Sequence, residues 1–135
     1  MNNLDNKKEN LIFETGDKMQ NYFTGDAYVK MLMTNPEYDC MIYNVTFEPG
    51  ARNFWHKHSI GQILLVTHGE GYYQEKGKSA QLLKAGDVVE IPAKAEHWHG
   101  AAPNSTFIHV GITPKSSKNK VEWLSHVTDE EYNSL

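Results

Sequence analysis

Across residues 40–48 the chain alternates, with Met41, Tyr43, Val45 and Phe47 on one side and Ile42, Asn44 and Thr46 on the other. A period of two is that of a half-buried strand. Glu48-Pro49-Gly50 ends it, because proline cannot continue a ladder and glycine permits the turn. The same punctuation recurs along the chain. Gly25-Asp26 turns into an extended stretch over residues 27–33, suited to a sheet edge or to exchange with a neighbouring subunit, and Asn35-Pro36-Glu37 is a turn by composition. Short apolar or alternating runs follow at residues 62–67, 72–76, 80–83, 88–92 and 106–113, separated by Gly69-Glu70-Gly71, Gly77-Lys78 and Ala85-Gly86-Asp87. Strands about 8–12 residues apart with glycine turns and no core helix predict an all-β barrel or sandwich. The C-terminus departs from this pattern. Thr128-Asp129-Glu130-Glu131 has the form of a capping box, so a turn or so of helix is expected, with Trp123 or Tyr132 docked on the barrel.

Composition narrows the function classes. At 135 residues, with 39% apolar and 22% charged residues, the chain suits one domain with one core, taken as residues 11–135 after a polar, flexible segment 1–10. The net charge of -4 and the scattered basic residues argue against nucleic acid. Lys115, Lys118 and Lys120 read as a solvated turn. No apolar stretch is long enough to cross a membrane as a helix, so no membrane partner is expected. Cys40 is the only cysteine, which excludes an intramolecular disulfide and thiolate chemistry at a metal. The opening residues lack the apolar core of a secretory signal, and a cytoplasmic location is the default expectation.

The candidate chemistry lies in residues 50–69. If that stretch is extended, His56, His58 and Gln62 point to one face. Glu96-His97-Trp98-His99, roughly forty residues on, offers His97 as a fourth donor. Three imidazoles and an amide make an N/O site for one divalent transition metal, suited to Mn, Fe, Ni or Zn better than to Ca. Trp55 and Trp98 alternate with the donors and should pack behind the site. His68 and His126 read as surface residues, and Arg52 as a surface or interface residue with an anion contact as the alternative.

The spacing of Gly50, His56, His58, Gln62 and Gly69, followed by Gly86, Pro92 and His97, resembles the two motifs of the cupins. That resemblance implies a double-stranded β-helix, or jelly roll, with metal motifs over residues 50–69 and 86–101. Three positions depart from the pattern: Gln62 stands for the usual glutamate, Lys94 for a glycine and Ala101 for an asparagine. The strings Val45-Thr46-Phe47-Glu48-Pro49-Gly50-Ala51-Arg52, Trp55-His56-Lys57-His58 and His97-Trp98-His99-Gly100-Ala101-Ala102-Pro103 look like the small bacterial cupin hydroxynitrile lyases. The tail, with Val121-Glu122-Trp123, is similar to cupins associated with carboxymuconolactone decarboxylases. The lyase resemblance implies manganese held by His56, His58, Gln62 and His97, with His99 beside the open coordination position.

On this reading Tyr43, Val45 and Thr113 line a substrate pocket with His109 and Gly111, and Tyr43 takes space that the lyases leave to smaller groups. His99, at an ordinary imidazole pKa near 6.5, suits acid/base work at neutral pH, and His109 is a second candidate. The expected activity is lyase-like, on a small organic molecule: cyanohydrin cleavage or a related C–C lyase, isomerase or decarboxylase reaction. An Fe(II) dioxygenase and a non-catalytic binding barrel are the alternatives. By analogy with cupins a homodimer or higher homo-oligomer is expected, formed through the N-terminal segment.

Overall fold

The computed structural model describes residues 11–33 and 35–135; the expected flexible segment 1–10 lies outside the described residues. In chain order the strands are β1 (Asp17–Lys18), β2 (Phe23–Thr24), β3 (Ala27–Met33), β4 (Cys40–Phe47), β5 (Arg52–Asn53), β6 (His56–His58), β7 (Gln62–His68), β8 (Glu70–Glu75), β9 (Gln81–Lys84), β10 (Val88–Ile91), β11 (His97–Ala101), β12 (Phe107–Pro114) and β13 (Val121–Trp123). A single turn of 3-10 helix, Pro36–Tyr38, precedes β4, and helix α1 (Asp129–Asn133) closes the chain.

Two antiparallel sheets result, so the all-β expectation holds. One runs β1-β3-β4-β12-β7-β10; in the other, β11 is flanked on one side by β5 and β6 and on the other by β8, with β13, β2 and β9 outermost. Phe47, Leu64, Leu83 and Phe107 are fully buried in the main core, where each large apolar side chain contributes roughly 1.5–3 kcal/mol.

The alternation in β4 predicts the inward Val45 and Phe47 correctly, but its other face is not solvated. Asn44 and Thr46 are 1% and 0% exposed. Asn44 Nδ2 donates to the carbonyl of Glu14 (3.2 Å), in the N-terminal segment that lies over that face. The turn expected at Gly69-Glu70-Gly71 is tighter than expected, because β8 already begins at Glu70.

A second apolar cluster of Trp98, Val127 and Tyr132 is joined by Trp55 and Tyr72. Both tryptophans that alternate with the histidines therefore pack away from the site, as expected. Trp98 Nε1 donates to Gln74 Oε1 (2.9 Å). Helix α1 carries both halves of the expected capping box: Thr128 Oγ1 accepts from the Glu131 amide and Glu131 Oε1 from the Thr128 amide. Tyr132 Oη donates to the Ala101 carbonyl at 2.6 Å and docks the helix.

Candidate metal centre

Strand alternation builds the site. β6 contributes His56 and His58, exposed by only 2% and 8%, while Lys57 between them turns outward. His97 and His99 on β11 are 0% and 3% exposed, and His97 pairs directly with His56 across the sheet. Gln62 opens β7 after Gly61, whose φ of 120° suits glycine and whose place allows no Cβ, since one would sit 2.6 Å from the Ile91 carbonyl.

One ring nitrogen from each of His56, His97 and His99 lies within 4.8 Å of the other two. His58 flanks this group, its ring centroid 5.2 Å from that of His56 and 5.8 Å from that of His97. The tight group thus includes His99, which the sequence suggests as an acid/base residue, in the place expected for His58.

The hydrogen bonds fix the tautomers that matter. His56 Nδ1 donates to the Phe54 carbonyl (2.7 Å) and His97 Nδ1 to the Ala95 carbonyl (2.8 Å). In each neutral ring this leaves Nε2 with its lone pair. His97 Nε2, His58 Nε2 and Gln62 Oε1 are buried without any hydrogen-bond partner. Buried polar atoms without partners are costly. Two free imidazole nitrogens and a free amide oxygen, with His58 and Gln62 on the same cavity wall as His56 and His99 and with His97 grouped with those two histidines, suit a divalent cation with N/O preference, so the residues fit a metal.

Electrostatics agree. Burial, followed by the neighbouring imidazole of His97, holds His56 well below the ordinary histidine value and brings His58 down to about 4; burial also lowers His97. Ligating histidines must be neutral, and these are neutral at pH 7. His99 does not keep the ordinary value expected for it. Burial and then the His109, His56, His97 and His58 rings push it well down.

The group opens on a cavity of about 370 Å3 whose wall includes Phe23, Val29, Met31, Val45, Tyr43, Thr113 and Trp123. Tyr43 and Thr113 are tied to the donor set. Gln62 Nε2 donates to Tyr43 Oη, which in turn shares a hydrogen bond with Thr113 Oγ1 (2.9 Å). This also orients the Gln62 amide with its oxygen free. His109 is not on the cavity wall: it is fully buried behind His99, with its Nε2 3.1 Å from His99 Nδ1.

Two residues of the site are absent from the sequence reading as functional groups. Asn53 on β5 contacts both the backbone and the ring of His99. Trp123 on β13 pairs with His56 and stacks on Tyr22 with ring centroids 4.6 Å apart. Arg52 is a correction, being 5% exposed rather than on the surface. Its guanidinium donates to the Val127 carbonyl (2.9 Å) and to Asp129 Oδ1 (2.8 Å) and lies 4.4 Å over the Tyr132 ring, holding the C-terminal segment down. A larger hollow of about 560 Å3, near Trp55, Lys76, Glu96 and Glu131, carries none of these histidines.

Comparison with known proteins agrees with this geometry. The cupin domain model matches residues 43–110, about half of the chain and all of the strands from β5 to β11. The chain is 40% identical over 119 residues to the (R)-mandelonitrile lyase of Granulicella tundricola, covering 87% of this chain and 91% of that protein. A solved cupin-like protein from Thermotoga maritima superposes with a TM-score of 0.88 at 52% identity, over 91% of this chain and 95% of the other. A cupin 2 barrel protein from Rhodopseudomonas palustris shares the fold at 15% identity, with a TM-score of 0.71 over 88% of this chain and 81% of its own. Motif spacing, two antiparallel sheets and a buried three-histidine group between them together place this chain in the cupin family.

Proposed function

We propose that this cupin is a metal-dependent lyase that cleaves a small cyanohydrin, with His56, His58, Gln62 and His97 holding one divalent transition metal, manganese before iron, zinc or nickel. The observation that carries the reading is the pair of partnerless, buried lone-pair atoms on His58 and Gln62 at the wall of an apolar cavity, with His99 on the same wall and the equally partnerless Nε2 of His97 in the three-histidine group behind it. The similarity to a mandelonitrile lyase supplies the substrate class. The bound metal supplies a Lewis acid for a substrate hydroxyl, and Gln62, lacking a carboxylate charge, leaves that acidity less neutralised.

The chain's own residues account for the rest. Phe23, Val29 and Val45 offer an apolar wall for the substrate's carbon skeleton and keep water from it. His99, neutral at pH 7, takes the hydroxyl proton; the carbonyl forms as the bond to the cyano carbon breaks, and the departing cyanide takes the proton from His99. The products are an aldehyde and hydrogen cyanide, so the proton balances within one cycle. His109 backs the His99 ring and keeps its orientation. The same reading takes the protein as a homo-oligomer assembled through the sheet edge at β1 and β3, which size-exclusion chromatography with light scattering checks.

Aldehyde release from mandelonitrile by manganese-loaded protein tests the activity. Turnover that disappears in His99→Ala while metal content stays unchanged supports the proposal. Wild-type protein with full metal content and no aldehyde release overturns it.

A further inference from the structure

We infer that Asn119 is a positioning residue for Gln62: from the loop after β12 it fixes the peptide unit that carries this proposed ligand into β7. Its effect on metal affinity rests on the proposed metal centre; its effect on the Gln62 side chain needs no bound ion. Lys115, Lys118 and Lys120 of the loop are exposed, whereas Asn119 among them is only 8% exposed and lies on the wall of the cavity that holds Gln62. Its Oδ1 accepts the backbone N–H of Ile60 at 3.1 Å, and its Nδ2 donates to the carbonyls of Gly61 at 2.7 Å and Pro114 at 3.0 Å. An N–H only donates and a carbonyl only accepts, so the amide has one orientation, with both of its protons used.

The Gly61 carbonyl belongs to the peptide bond whose nitrogen is that of Gln62, and that unit is planar. Holding the carbonyl therefore sets the direction in which Gln62 leaves the turn. The backbone of β10 packs closely against the same turn, since a Cβ on Gly61 would lie 2.6 Å from the Ile91 carbonyl. Ser59 adds two bonds to the loop: its N–H donates to the Lys120 carbonyl and its Oγ accepts from the Lys120 N–H, both at 2.8 Å. At the other end of the residue, Gln62 Nε2 donates to Tyr43 Oη. Gln62 is thus held twice, by Asn119 through its backbone and by Tyr43 at its amide, which keeps its buried, partnerless Oε1 in one place. A donor atom already in place need not be ordered when a cation binds. Groups that orient ligands in this way typically account for about 10–100-fold in metal affinity.

Asn119→Ala in two backgrounds separates this role from a purely structural one. Titration of chelator-treated protein with Mn(II) should show roughly tenfold or more weaker binding in Asn119→Ala than in the wild type, but less than about a twofold difference when the same change is made in Gln62→Ala. A merely structural role would weaken binding equally in both. Hydrogen exchange followed in 1H–15N spectra of the metal-free protein supplies a second readout. The Gln62 side-chain amide should exchange faster in Asn119→Ala, while the backbone amides of β12, at the centre of its sheet, stay protected. Asn119→Asp keeps the side-chain shape and the acceptor for the Ile60 N–H but loses the donor, and should give the same exchange result where the alanine variant fails to fold. Equal losses of affinity in the two backgrounds, or unchanged Gln62 exchange in a folded Asn119 variant, overturn the inference. A wild type that binds no Mn(II) yet shows the exchange difference overturns the metal centre and supports the role of Asn119.

Discussion

The indole of Trp123 lies against the imidazole of His56, ring centroids 4.6 Å apart and planes inclined by 34°. The contact follows from the pairing of β13 with β6, which sets Trp123 opposite His56 in the sheet. A C-terminal segment thereby forms part of the metal centre's wall. Of the three tryptophans in the chain, Trp123 is the one in contact with a proposed ligand.

That contact makes Trp123 a reporter. Titrating chelator-treated protein with Mn(II) or Co(II) should quench tryptophan fluorescence, and Trp123→Phe should remove most of the quenching while Trp55 and Trp98 continue to emit. Quenching that persists in Trp123→Phe would locate the bound ion elsewhere.

A glycine also shapes the site. A Cβ on Gly111 would lie 2.3 Å from the ring of Tyr43, so the absence of a side chain there makes room for that ring. Gly111→Ala should cost about 1–3 kcal/mol of stability by overpacking. It should also weaken metal affinity, because Tyr43 holds the Gln62 amide in place. Urea unfolding and metal titration measure the two effects. Both should shrink when the change is made in a Tyr43→Ala background.

The legible part of this architecture was local. Alternation over residues 40–48 marked β4, and Thr128 and Glu131 marked the helix start, because each signal lies within one element. Strand parity marked His56, His58, Gln62 and His97 as inward-facing, and all four are buried, since parity decides which side chains turn inward. Partnerships between distant segments left no such trace. β13 is three residues long, and its meaning comes from pairing with β6, more than sixty positions earlier. Arg52 looked like a surface residue because the segment that buries it is the C-terminus. Asn53 meets His99 only through the pairing of β5 with β11. Parity set His109 on an inward face but could not tell its depth, which puts it behind His99. Lys94, a departure from the motif, still adopts the left-handed conformation a glycine would favour there, with φ of 67°.

The buried histidines give stability a pH dependence. Burial lowers His109 from 6.5 to about 3 and, aided by His97, His58 to about 4. Below pH 6.5 the unfolded chain binds protons that the folded one refuses, so stability is fully present above 6.5 and falls as the pH drops toward these folded-state values. For His109 the loss between pH 6.5 and 5 is on the order of 2 kcal/mol. Urea unfolding of chelator-treated protein across this range should show the decline, with a shallower slope for His109→Phe. A stability that rises on acidification contradicts the burial of these rings in their neutral forms.

The central claim is that the histidines and Gln62 form a metal centre. Elemental analysis of protein purified without added metal, with His97→Ala as the control, tests it most directly. The account predicts about one divalent transition-metal ion per chain, lost in the variant. A stoichiometry near zero in the wild type, or one unchanged by removing His97, would contradict it.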